Sequence, residues 1–228
     1  MNDRATAGPV ALIDYGAGNL ASVRKALRRL GAQVLTPATP VDLVGAQAII
    51  VPGVGHFDAT AALTPPWHDA IRRATEQGTA LLGICLGLQW LFEGSDEAPG
   101  VAGLGALAGR CTRFASTPQP DGAPLKVPHL GWNVVSRIRS SLLLEDLPAN
   151  AYAYFAHSYH APDTPDTVAV TTYGVAFPAV VERPPVFGAQ FHPELSDTFG
   201  LGLLDNFLRR APGAARRAAA VGTGRGVE

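Results

Sequence analysis

A chain of 228 residues that is 47% hydrophobic and 16% charged has the composition of a globular protein with a substantial core, in one large domain or two small ones. Its formal net charge of -1 supplies no basic field to attract nucleic acid. No apolar run approaches the roughly 20 residues needed to span a bilayer, and the opening Met1-Asn2-Asp3-Arg4 lacks the apolar centre of a secretory signal, so the cytoplasm is the expected location.

The first half alternates short apolar runs with helical patterns. Val10 to Ile13, Val34-Leu35, Ala48 to Val51 and Ala80 to Ile84 are nearly continuously apolar, as strands buried on both faces are. Between the first two, Leu20, Val23, Leu27 and Leu30 recur at helical spacing, with Asn19 as N-cap and Gly31 as the stop. This βαβ rhythm predicts an α/β fold: a mostly parallel sheet flanked by helices on both faces, with ligands bound beyond the carboxyl ends of the strands. From about Arg110 the runs shorten: Tyr152 to Ala156, Val168 to Tyr173, Ala179 to Glu182 and Val186 to Gln190, separated by Pro, Gly and Asp turns, are expected as added strands on the same sheet, which thereby gains antiparallel strands. A last helix is predicted over Asp197 to Arg210, facing Phe199, Leu203, Leu204 and Phe207 inward. The folded domain is therefore expected over 8–211, and 212–228, an Ala, Gly and Arg tail without apolar period, is expected to be disordered.

Leu81-Leu82-Gly83-Ile84-Cys85-Leu86-Gly87-Leu88-Gln89 is the segment richest in chemistry. A nucleophile on a sharp strand-to-helix turn needs small neighbours, because the backbone there is strained and closely packed. Cys85, between Gly83 and Gly87, sits where such a nucleophile would sit, and the following helix would aim free N–H groups at the sulfur and favour the thiolate. The plainer alternative is a buried structural cysteine, which the flanking glycines disfavour. Cys111 has no such flanks and reads as core. Two cysteines are too few for a disulfide framework and are not spaced as zinc ligands, so no metal site is expected.

Thiol chemistry also needs a base and a group that orients it. Phe191-His192-Pro193-Glu194 follows the run Val186 to Gln190 and so lies at a strand end, on the sheet edge that would also carry Cys85. Glu194 would bond one ring nitrogen of His192 and leave the other to face the sulfur. Val51-Pro52-Gly53-Val54-Gly55-His56, past another strand, is by itself an ordinary turn. Beside Cys85 it becomes a candidate oxyanion hole through Gly53, Val54 and Gly55, together with the N–H of Leu86. Gly16-Ala17-Gly18-Asn19-Leu20-Ala21 fits a dinucleotide-binding turn, but the acidic residue expected after the second strand is replaced by Val34-Leu35-Thr36, and that reading is set aside.

Gly83 to Gln89, Pro52 to Gly55 and Phe191 to Glu194 resemble, in order and spacing, the three signatures of the class I, triad-type glutamine amidotransferases, and the resemblance covers roughly Val10 to Arg210. Lys126-Val127-Pro128-His129-Leu130-Gly131-Trp132-Asn133, Tyr154-Phe155-Ala156-His157-Ser158-Tyr159 and Asp14 to Leu20 are similar to the glutaminase subunits of imidazole glycerol phosphate synthase. The resemblance implies that Cys85 attacks the side-chain amide of L-glutamine to give a thioester and ammonia, that His192 moves protons, and that Glu194 holds His192. It implies glutamine contacts at Gly53, Gly55, Leu86, Gln89, Ser158 and Tyr159. It further implies a separate cyclase subunit, a (β/α)8 barrel, that receives the ammonia and docks near Asn19 and Trp132. No metal or organic cofactor is implied. For Trp132 a core position is the alternative, and His129 and His157 stay open between supporting the site and structure. A glutaminase of pyridoxal phosphate, anthranilate or guanylate synthesis would share the triad but lack the Lys126 to Asn133 segment. A non-catalytic glutamine-binding regulator would tolerate loss of Cys85, His192 or Glu194, and all three are present.

Overall fold

The computed structural model describes residues 8–116 and 124–223. In chain order the first half contains β1 (Val10–Leu12), α1 (Leu20–Arg29), β2 (Val34–Leu35), β3 (Ala48–Gly53), α2 (Pro65–Glu76), β4 (Ala80–Cys85) and α3 (Leu86–Leu91). The second half adds β5 (Gly94–Ser95), β6 (Arg110–Arg113), β7 (His129–Arg137), β8 (Asn150–His157), β9 (Tyr159–His160), β10 (Thr167–Tyr173), β11 (Val175–Arg183), β12 (Val186–Ala189) and α4 (Asp197–Thr223).

Among the described residues, nine strands form one sheet in the order β2-β1-β3-β4-β12-β11-β10-β7-β8. β2, β1, β3, β4 and β12 run parallel. The pairs from β12 through β11, β10 and β7 to β8 are antiparallel. A small second sheet joins β5, β6 and β9.

Alternation along the central strands divides the core in two. Val10, Leu12, Ala48, Ile50, Leu82 and Ile84 face Val23 and Leu27 of α1 and Phe199, Leu203, Leu204 and Phe207 of α4. Ala11, Ile13, Ile49, Val51 and Leu81 face Ile71 of α2 and Leu88 and Leu91 of α3, with Cys111 buried among them. Helices thus cover both faces, as the continuously apolar runs require: a strand with neither face in water has no polar side to show. Each fully buried Leu, Ile or Phe contributes about 1.5–3 kcal/mol relative to exposure, so both layers are needed to hold the sheet. α1 begins as expected, with Asn19 Oδ1 accepting the Ser22 N–H at 3.2 Å, and Gly31 follows its end at φ +82°.

Two expectations are corrected. The run Val186 to Gln190 is not an appended strand: β12 pairs in parallel with β4, in the middle of the sheet. Its placement follows from the β11–β12 hairpin, which returns the chain to β4 after the antiparallel excursion. The last helix does not stop at Arg210 but carries Pro212 inside it and continues to Thr223. Its continuation through Ala214-Ala215-Arg216-Arg217-Ala218 follows from the high helix propensity of Ala and Arg. The backbone of 213–223 is therefore helical where an unstructured tail was expected, and 224–228 lie outside the described residues.

Candidate active site

β4 and β12 are neighbours in register, Gly83 beside Gly188 and Ile84 beside Ala189, so the residues that follow them leave the sheet at the same carboxyl edge. Cys85 ends β4 and caps α3 in a strained conformation, φ +53° and ψ -106°. A non-glycine residue there costs on the order of 1–3 kcal/mol and persists only where its surroundings enforce it. They do so here by close packing. A Cβ on Gly83 would lie 2.5 Å from the carbonyl oxygen of Gly87, and one on Gly87 would lie 1.8 Å from the carbonyl oxygen of Val51. Both glycines let α3 fold back against β3 and β4 and turn the sulfur outward from the strand end.

His192 follows β12, with its N–H donated to the Tyr154 carbonyl at 2.9 Å, and is 3% exposed. Its Nδ1 lies 2.9 Å from Glu194 Oε1, and Cys85 is near enough to act on the ring electrostatically. Burial pushes this imidazole toward its neutral form, but the Cys85 sulfur and the Glu194 carboxylate outweigh it and raise the pKa to about 10. An imidazolium paired with the Glu194 carboxylate is therefore the favoured state of His192 near neutrality. The second carboxylate oxygen of Glu194 is buried without a partner, so the imidazole carries most of the burden of keeping that charge inside the protein. In Glu194→Gln the His192 pKa is expected to fall and turnover to drop about 10²-fold or more. Titration of the His192 ring by NMR checks this, and an unchanged midpoint would sink the assignment.

A cleft of about 300 Å³ opens beside the sulfur and is lined by Cys85, Gly55, Leu86, Gln89, Ser158 and Tyr159, together with His56, Glu97 and His157 among others. These sequence-selected residues are thus brought together. Gly53 pairs with Cys85 across the β3–β4 ladder and stands behind the cleft wall, pressed by the Tyr15 hydroxyl, while Val54 is 39% exposed. Neither lines the cleft, so in this arrangement the turn reaches it through Gly55 and His56. Asn19 and Trp132 also lie outside its walls. Trp132 is 54% exposed on β7, against Tyr154, which removes the core alternative for it.

Three groups escaped the sequence. Gln190, fully buried, points its Nε2 at the Cys85 sulfur at 3.8 Å and stands 3.4 Å from Gln89 Nε2 through Oε1. Its place two residues before His192, at the end of an apolar strand, was the available signal. Glu97 faces the cleft and accepts the Phe57 N–H at 2.8 Å. Tyr15 buries its hydroxyl without a partner, and burial, then the nearby Cys85, raises its pKa. Among the described residues no group of three or more His, Cys, Asp or Glu is placed to hold a metal ion, and no helix is long and apolar enough to cross a membrane.

A family model for glutamine amidotransferase class-I matches residues 11–211. The imidazole glycerol phosphate synthase subunit HisH of Salinibacter ruber is 45% identical over 204 residues, 86% of this chain and 92% of that protein. The HisH subunit of Deinococcus radiodurans is 47% identical over 88% of this chain and 93% of its own length, and that of Thermococcus kodakarensis 45% identical over 88% and 99%. Among solved structures, a glutamine amidotransferase superposes with a TM-score of 0.68 at 22% identity, covering 89% of this chain and 98% of that one. The glutaminase domain of Trypanosoma brucei CTPS with bound acivicin gives 0.59 at 18% identity, covering 92% and 94%. Those two support the fold alone. With a match across nearly all of its sheet and helices, and relatives above 40% identity along most of its length, the chain belongs to the class-I glutamine amidotransferase family.

Proposed function

We propose that this chain is the glutamine-hydrolysing subunit of imidazole glycerol phosphate synthase, an enzyme of histidine biosynthesis, and that Cys85, His192 and Glu194 carry the hydrolysis. The single observation behind the roles is a buried His192, hydrogen-bonded to Glu194 and raised in pKa by Cys85, beside a cysteine that sits on a strained turn and lines a cleft of about 300 Å³.

The chemistry follows from that arrangement. The Cys85 thiolate attacks the δ-carbon of glutamine, and the carbonyl oxygen takes up negative charge as a tetrahedral adduct forms. The Leu86 N–H and the Gly53-Val54-Gly55 turn are the donors for that oxygen, once the turn presents an N–H to the cleft. His192 gives its proton to the departing nitrogen as the C–N bond breaks, which leaves a thioester and free ammonia. Water then loses a proton to His192, attacks the thioester carbon, and releases glutamate and the thiolate. Glu194 keeps the ring in register through both steps. Glu97 supplies a carboxylate for the α-ammonium of glutamine, and Gln89, Ser158 and Tyr159 hold the rest of the substrate. Every role is filled by side chains and backbone of this chain, so the reading calls for no cofactor.

Ammonia in neutral water is mostly protonated and no longer nucleophilic, so its use requires a sheltered route to a partner. Leu130, Trp132 and Tyr152, on β7 and β8 beside the cleft, are 65%, 54% and 64% exposed. An exposed group of large apolar side chains next to a site marks an interaction surface. The occupant in this reading is the cyclase subunit, a (β/α)8 barrel, with Trp132 as its anchor and Asn19 at the edge of the same contact. The cyclase adds the ammonia to a phosphoribosylated formimino-aminoimidazole carboxamide, giving imidazole glycerol phosphate and the carboxamide ribotide. Supply of an amino-acid pathway places the chain in the cytoplasm.

Two measurements test the proposal. The chain should co-purify with the barrel cyclase and together convert glutamine into imidazole glycerol phosphate. Trp132→Ala should raise the dissociation constant of that pair about 10- to 100-fold, as loss of a buried aromatic anchor does. Glutamine-dependent product with a partner of another pathway, such as pyridoxal phosphate or anthranilate synthesis, would overturn the assignment.

A further inference from the structure

His129 and His157 lie inside the protein, 3% and 6% exposed, and the reaction as written uses neither. They are joined in a line of hydrogen bonds whose direction is fixed at both ends. At one end His157 Nδ1 is 2.8 Å from the carbonyl oxygen of Tyr159, which can only accept, so Nδ1 carries the proton and Nε2 is the acceptor. His129 Nδ1 lies 3.1 Å from that Nε2 and must therefore be the donor. His129 Nε2, left as an acceptor, faces Asn133 Nδ2 at 3.2 Å. At the far end the same Asn133 nitrogen donates to the Thr172 carbonyl at 3.0 Å, which fixes the amide orientation independently of the histidines. The two ends agree, and a single proton arrangement satisfies every link.

The rings cannot leave this line easily. His129 is stacked between Tyr173 and Phe155, with centroids 4.1 and 4.7 Å away, and His157 packs on Phe114 and Phe177. Burial lowers the pKa values to about 4 for His129 and about 3 for His157, which keeps both rings neutral and single tautomers at physiological pH. The Tyr159 carbonyl that ends the line also accepts from Gln89 Nε2 at 2.8 Å. Gln89 and Tyr159 are walls of the cleft, and Gln89 leads on to Gln190 and the Cys85 sulfur.

We propose that His129 and His157 are positioning residues of the glutamine cleft: as an oriented pair anchored on Asn133, they hold the Tyr159 carbonyl where it fixes the Gln89 amide. This rests on the reading that the cleft binds glutamine. Asn133 follows Trp132 on the exposed strand, so the line also connects the substrate wall to the face assigned to the partner.

The test uses the full chain, alone and with the cyclase subunit. Nitrogen NMR of the imidazoles should show the proton on Nδ1 in both rings; a proton on Nε2 of either overturns the proposal. In glutamine hydrolysis, His129→Phe keeps the ring volume and removes both polar atoms. It is expected to raise KM about tenfold while kcat falls less than about threefold, as loss of one oriented hydrogen bond in substrate binding does. His129→Gln offers one donor and one acceptor and should restore KM. Equal KM in both variants and the wild type, whatever their melting temperatures, overturns it. Should His129→Phe not fold, Asn133→Ala removes only the outer anchor, leaves the proton on His129 Nδ1 and should raise KM about threefold; no change in KM again overturns the proposal. Absence of glutamine hydrolysis in the wild type would instead refute the glutaminase reading, with the NMR result still deciding the proton arrangement.

Discussion

Replacing Cys85 by Ser is expected to abolish glutamine-dependent product formation, by a factor of about 10⁴ or more, while the complex supplied with ammonium salt keeps its synthesis within about twofold. The variant changes one atom, so the cleft, the turn and the docking face should persist. What it removes is the sulfur nucleophile: a serine hydroxyl in the same place is far less acidic than a thiol and presents a much poorer attacking atom. The variant also removes a cause that holds His192 up. With the Cys85 sulfur gone, burial is opposed by Glu194 alone, so the His192 pKa should fall from its raised value, and the imidazole should become neutral at a lower pH. The measurement is a paired assay, glutamine and ammonium as nitrogen donors, with NMR titration of His192. Equal loss with both donors would show that Cys85 serves the fold or the docking face and not the release of ammonia.

Glu194 and Gln190 show how unevenly such a site can be read from sequence. The parallel strands β1, β3 and β4 were legible because strands buried on both faces have no polar side, and that leaves a continuous apolar run in the sequence. The nucleophile turn was legible for a related reason: a sharp, closely packed backbone admits only glycine at Gly83 and Gly87, and that restriction is local. His192 and Glu194 stand two residues apart, so their pairing was legible from spacing. Gln190 was not, because a single amide after Val186-Phe187-Gly188-Ala189 gains meaning only when β12 lies beside β4. The same non-local fact explains why β12 was expected as an added strand. β7 was not anticipated as a strand because one of its faces is open to solvent and the other carries His129 and Asn133, so neither alternation nor a continuous run appears. The absence of Gly53 and Val54 from the cleft wall has a different origin: sequence can nominate a turn as an oxyanion hole, but which way its peptides face is set by what packs behind it, here the Tyr15 hydroxyl and Leu86.

Gly87→Ala should be among the most damaging small substitutions in the described residues. Its added methyl would stand 1.8 Å from the carbonyl oxygen of Val51 and 2.8 Å from the carbonyl carbon, atoms of β3 in the middle of the sheet. Neither can yield as the end of a flexible side chain would, because β3 is held by β1 on one side and β4 on the other. The helix must move instead, and α3 is only six residues long and tied to β4 through Cys85. Overpacking commonly costs about 1–3 kcal/mol, and a clash between two backbones exceeds that, so a loss of about 4 kcal/mol or more is expected. In a domain of this size it corresponds to a fall of about 8–16 °C in melting temperature. The same shift displaces the sulfur from His192, and a misplacement of about 1 Å can cost about 10²-fold in rate. Any Gly87→Ala protein that remains folded should therefore turn glutamine over at least that much more slowly. Gly100→Ala is the control: a Cβ there meets nothing within 4 Å, and the variant should match the wild type within about 0.5 kcal/mol. Calorimetric melting of both variants, with kcat for glutamine, separates the outcomes. A Gly87→Ala protein as stable and as active as Gly100→Ala would mean that α3 is free to lift from β3, and that the strain at Cys85 is not enforced by the packing described.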